Sequence, residues 1–221
     1  ISKIDELIKG INFKDSGNLD AFGRLRTSSN GNRFDVEFIY DLQPEIVDYV
    51  IAGTGDINNR TNERDALLEI GGTGSTAKAE LYGYDVPYTP GVSQLVDITG
   101  VLNNANIGSG DTRFFLRSKI SGSVVTTVYE KSDWEVAGTN TSSLFSDLDL
   151  SKSQILTMDF QSLKVGRIRF GFVRNGIYVS AHEIFNDNLI SSGYWQIPSL
   201  PLNWRIYNDA TYTYMEMGYG D

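Results

Sequence analysis

The chain has 221 residues, 40% of them hydrophobic and 21% charged, with no cysteine and a formal net charge of −9. That length suits one large all-β domain or one domain with appendages, and the lack of cysteine excludes disulfides and thiolate metal sites. The acidic balance repels phosphate backbones and anionic lipid surfaces, and no apolar run approaches the ~20 residues of a membrane span, so neither nucleic-acid binding nor membrane insertion is expected.

Residues 1–11 carry the one good helical pattern. Ile1, Ile4, Ile8 and Ile11 recur at three-four-three spacing, with Leu7 beside them. Ser2 suits the N-cap, Asp5 and Glu6 lie near the positive helix end, and Gly10 suits the stop. The segment reads as a short N-terminal helix on its own domain, or as the end of a coiled coil begun upstream. Isoleucine at both core positions of a heptad favours three strands or more, so a homo-oligomer, a trimer first, is expected. The chain opens on Ile1 and not on Met, which reads as a processed protein or a piece of a longer one.

Residues 12–33 are rich in Asn, Asp, Gly and Ser and read as an extended arm with turns at Ser16-Gly17 and Asn30-Gly31. Within it, Phe22 and Leu25 are apolar anchors. Arg24 and Arg26 offer planar forks to carboxylates or backbone carbonyls.

From residue 34 to 221 the text is mostly strands, read as one β-sandwich domain or jelly roll. Phe34-Val36-Phe38-Tyr40 alternates apolar and polar positions. Ala79 to Tyr84, Phe114 to Leu116, Val124 to Tyr129, Ile155 to Phe160, Arg167 to Val173, Ile177 to His182, Leu202 to Tyr207 and Thr211 to Met217 are further β-rich runs. Asn175-Gly176 is the favoured pair for a tight hairpin. Thr61 to Ile70 allows a helix, but the glycines at 71, 72 and 74 and the β neighbours favour a strand over Ala66 to Ile70. Arg167, Arg169 and Arg174 are read as alternating with apolar Ile168, Phe170 and Phe172 on the opposite face, a pattern suited to ion pairs between subunits.

Chemistry-bearing motifs are sparse. His182, beside Glu183, is the single histidine, and no Gly-x-Ser-x-Gly elbow surrounds a serine. A lone histidine in such a run reads as a hydrogen-bonded structural residue. Position 186 is Asn, so zinc-binding His-Glu-x-x-His is absent. Asp56 to Arg60 resembles part of a calcium loop, yet Thr61 and Leu67 stand where that loop needs Gly and Glu. Phe185 to Asn188 is a second oxygen-rich turn, and plain loop chemistry is the default at both. No catalytic residue, cofactor or metal is expected. The aromatics Tyr82, Tyr84, Tyr88, Tyr178, Tyr194, Trp195, Trp204 and Tyr207 could stack on sugars, though most should be core or interface.

The string Asp20-Ala21-Phe22-Gly23-Arg24-Leu25-Arg26, followed by Phe34-Asp35 and Tyr40-Asp41, resembles the opening of a family of tailed-bacteriophage virion proteins. Tyr88 to Leu95 with Thr99 to Val101, Ser132-Asp133-Trp134, Thr157 to Phe172, Ala181 to Asn186 and Pro198 to Leu202 are similar to later stretches of that family. Val92, Ser162 and Lys164 depart from it. The resemblance implies a virion structural, tail-fibre or tail-associated protein, located on the particle and partnered by other virion proteins. A receptor- or carbohydrate-binding module contacting a host-surface glycan is the alternative, and a polysaccharide-degrading enzyme comes third. Phe22, Arg24, Leu25, Arg26, Arg167 and Arg169 are the expected docking residues.

Overall fold

The computed structural model describes residues 32–71, 76–101, 113–120, 123–161, 166–187, 189, 199–209 and 213–219. The expected helix over 1–11 and all of the arm but its last two residues lie outside them. The described residues form an all-β protein of fourteen strands, every pairing antiparallel. No described helix is long and apolar enough to cross a membrane.

The stretch read as one sandwich folds as two compact units, one using residues 29–88 and 197–221, the other 89–196. In the first unit, β1 (Val47–Ala52), β4 (Thr76–Gly83), β13 (Leu202–Asp209) and β14 (Thr213–Tyr219) form a sheet in that order. The hairpin of β2 (Gly55–Arg60) and β3 (Asp65–Ile70) packs on it. Alternation along β4 turns Ala79 and Leu81 inward, where they join Val47 and Ile57, with Trp204 and Ile206 of β13 packed alongside. The helix allowed over Thr61 to Ile70 does not form; β3 occupies its second half.

Phe34, Val36 and Phe38 pack on this core as expected, but their segment joins no sheet. Side-chain bonds take the place of a ladder. Asn59 Nδ2 donates to the carbonyls of Phe38 and Asp41 (both 3.1 Å), Tyr84 Oη donates to the Arg33 carbonyl (2.7 Å), and Arg33 Nη1 donates to that of Pro87 (2.8 Å). Tyr40, at the end of the alternating run, is 85% exposed.

In the second unit, β12 (Ile177–Ile184), β11 (Ile168–Arg174), β10 (Gln154–Phe160) and β5 (Gln94–Gly100) form a sheet in that order. A ribbon of β6 (Arg113–Ile120) and β7 (Ser123–Glu130) and a small hairpin of β8 (Glu135–Val136) and β9 (Thr139–Asn140) complete it. One sheet face is apolar. Val96, Met158, Phe170 and His182 lie in register across all four strands. Against it sits an aromatic cluster: Phe114 stacks on Phe170 and Trp134 at 4.7 and 4.6 Å, and Phe145 meets Phe172 at 5.6 Å. Trp134 and Phe145 are fully buried, as rings of this size must be to return their area to the core.

Candidate functional site: a charged sheet face

Strand parity sends the other residues of β10, β11 and β12 to the opposite face. There Asp159 stands in register with Arg169, and Arg169 with Glu183. Arg169 Nη2 donates to Asp159 Oδ2, and both side chains are 2% exposed. Arg167 Nη1 donates to Glu183 Oε1 at 3.3 Å, with Glu183 buried and Arg167 half-buried. Two guanidiniums thus meet two carboxylates, and the charges of these two pairs sum to zero. Burial lowers the Arg169 pKa, and the Asp159 charge and hydrogen bond more than offset this, so the guanidinium stays protonated. The guanidiniums also lie 6.0 Å from the ring centroids of Tyr178 (Arg169) and Phe185 (Arg167). Burial pushes the Tyr178 phenol up to about 12, so it remains neutral.

One further bond extends the polar face, and another ties the start of β11 to the end of β12. Thr157 Oγ1 donates to Asp97 Oδ1 at 2.7 Å, and Asn186 Nδ2 donates to the Gly166 carbonyl at 3.0 Å. Gly171 sits among these side chains because the face allows nothing larger. A Cβ there would meet the Val179 carbonyl at 2.4 Å and the Tyr178 ring at 2.6 Å.

Of the expected docking residues, Phe22, Arg24, Leu25 and Arg26 lie outside the described residues. Arg167 and Arg169 are brought together, but each binds a carboxylate of its own sheet rather than standing free for another subunit. Arg174 departs from the expected parity. It shares the face of Phe172, with its guanidinium 5.7 Å from the Phe145 ring centroid and hydrogen bonds to the Leu144 carbonyl and Asp147. An even residue number cannot share a face with Arg167 and Arg169 along a regular strand.

His182 lies on the apolar face. Its Nδ1 accepts from the Glu135 backbone N–H at 3.2 Å and its ring lies 4.5 Å from that of Tyr129. Burial holds its pKa below the ordinary histidine value. Asp56 to Arg60, read as part of a calcium loop, is strand β2. Asp56 Oδ1 accepts from the Ile57 N–H and Oδ2 from Asn58, while Arg60 pairs with Asp65. Among the described residues no three His, Cys, Asp or Glu groups converge to hold a metal ion.

A second charged row escaped the sequence reading. Glu80, Arg205 and Glu216 stand in register across β4, β13 and β14. Arg205 Nε donates to Glu216 Oε2 at 2.6 Å, its Nη1 lies 3.7 Å from Glu80, and Tyr207 Oη donates to Glu216 at 2.9 Å. Lys78 completes the group on Glu80. An open depression of about 350 Å³ lies over Lys78, Arg205 and Tyr207, but both cationic heads there are held by carboxylates. The available signal was the alternation of Lys78, Glu80 and Tyr82 with Ala79 and Leu81. Which strands would neighbour β4 was not written in it.

No protein-family model, curated protein or solved structure matches this chain.

Proposed function

We propose that the chain is a structural protein of a tailed-bacteriophage particle, acting by protein–protein assembly and without catalysis. The observation that carries this reading is the string Asp20 to Arg26 with Phe34-Asp35 and Tyr40-Asp41 behind it. Charges buried in self-neutralising sets, and strand edges that carry exposed Tyr49, Val50 and Ile51, suit a protein whose work is to be held by neighbours. It sits on the tail, fibre, neck, baseplate or capsid surface as a homo-oligomer, with three copies suggested by the isoleucine spacing of residues 1–11. Mass spectrometry of purified particles should find its peptides in stoichiometric amount, and a map of the particle should place it. Particles that lack it altogether would overturn the reading.

Exposed Tyr40, Tyr49 and Tyr84 favour a second reading, a module that stacks host-surface sugars on aromatic rings. A glycan array is the test: selective retention of one glycan class supports it and uniform blankness removes it. Release of reducing sugar from a host polysaccharide by the pure protein would overturn the claim that it performs no reaction.

A further inference from the structure

The ribbon β6–β7 is anchored at one end and bare at the other. At its base Phe114 is buried on Trp134 and Phe170, and Tyr129 rests on His182. Toward the tip Val124 and Val125 are 60% and 48% exposed, and Val128, next to the base, is 43% exposed. Successive residues of a strand point to opposite faces, so both faces are uncovered there. Among the described residues each strand of the ribbon pairs with the other alone. A two-stranded ribbon is marginal in water by itself, and an open edge is a template for another strand. The two edges differ in character. Arg113, Arg117 and Lys119 charge β6, the usual protection of an edge, whereas β7 carries no charge from Ser123 to Tyr129.

We propose that the β7 edge pairs with the β7 edge of a second copy of this chain, antiparallel about a two-fold axis through Thr126. A two-fold axis normal to a sheet leaves each residue on its own face, so only positions of equal parity can oppose one another. With Thr126 on the axis, Val124 opposes Val128 on one face and Val125 opposes Thr127 on the other. All these are β-branched, the type that pairs well across strands, and no like charges face each other. The basic residues of β6 fall on the outer strands of the resulting four-stranded sheet. An uncharged strand has no means to select an acidic or basic foreign strand, but this one complements itself. The pairing does not depend on a place in a phage particle, and it is separate from any three-fold contact through residues 1–11.

The full chain has no thiol of its own, so Thr126→Cys introduces a single probe. Opposed Cα atoms in antiparallel strands lie about 4.5–5.5 Å apart, within disulfide span. Mild oxidation should give a covalent dimer, while Arg117→Cys on the outer strand should give none. Thr126→Lys and Thr126→Glu, each alone, should halve the assembly mass seen by light scattering, and mixing the two should restore it. Absence of the Thr126→Cys cross-link, or a mixture that stays at the mass of the separate variants, overturns the proposal. Either result would turn the edge over to a foreign strand.

Discussion

Arg169 carries its charge where water scarcely reaches, and Asp159 is what makes that tolerable. Removing one member of a buried pair leaves an uncompensated charge, which costs about 3–5 kcal/mol, whereas replacing both by apolar groups of similar volume is often nearly neutral. Arg169→Met should therefore lower stability by that order, and Arg169→Met with Asp159→Leu should recover most of the loss. Urea unfolding measures both; a double variant as unstable as the single would show that the face depends on its charges and not on their balance. His182 supplies a pH dependence. Its folded pKa is depressed by burial, while the unfolded chain takes up a proton near pH 6.5. The unfolded state thus binds the proton first as pH falls. The stability tied to the neutral ring is complete above about pH 6.5 and is lost as pH drops through the lowered folded value. With no other histidine in the chain, His182→Gln should flatten the stability curve between about pH 7 and 5. An unchanged slope in thermal melts would assign the dependence elsewhere.

At the scale of elements, the hairpin joining β11 and β12 turns on Asn175 and Gly176, with φ of 52° and 76°. Two consecutive left-handed residues are the signature of the type I′ turn, whose twist matches that of the strands. Gly176 has open space around it, so Gly176→Ala costs only the left-handed backbone penalty of about 1–2 kcal/mol. Gly171, in the middle of β11, is limited by space. Its new Cβ would press on a backbone carbonyl, which cannot swing aside as a side chain can. Gly171→Ala should thus destabilise by more than Gly176→Ala, toward the upper end of the roughly 1–3 kcal/mol seen for overpacking. Chemical denaturation of the two variants side by side checks the order.

At the scale of the molecule, the chain leaves its first unit after Tyr88 and re-enters it near residue 197. The exit and return are stitched together: the Tyr88 N–H donates to Ser199 Oγ at 3.0 Å, and Val86 bridges Leu200. β4 and β13, far apart in sequence, are neighbours in the same sheet. A short Gly-Ser link in place of residues 90–196 should span the gap without strain. Because the core of Val47, Ile57, Ala79 and Leu81 is complete within the first unit, the shortened chain should unfold cooperatively with a β-type circular dichroism spectrum. A broad, non-cooperative melt would show that the unit needs the residues removed.

The all-β character, most strand positions and the Asn175-Gly176 turn were legible in the sequence, because period-two patterning and turn chemistry are local properties. The strand β3 was legible for the same reason, once glycines closed off the helix. Partnership was not. Phe34, Val36 and Phe38 alternate as a strand does, yet their carbonyl and side-chain bonds, not a ladder, hold them. Arg169 reads as a surface charge until Asp159 is set opposite it. Glu80, Arg205 and Glu216 become a row only when β13 comes back beside β4. The sequence by itself determined what each segment could be, through backbone geometry and the alternation of its side chains. Only the tertiary structure decided which edges met and which charges were neutralised, because strand pairing joins residues apart in sequence, more than a hundred positions for β4 and β13, and is settled by the joint burial of their faces.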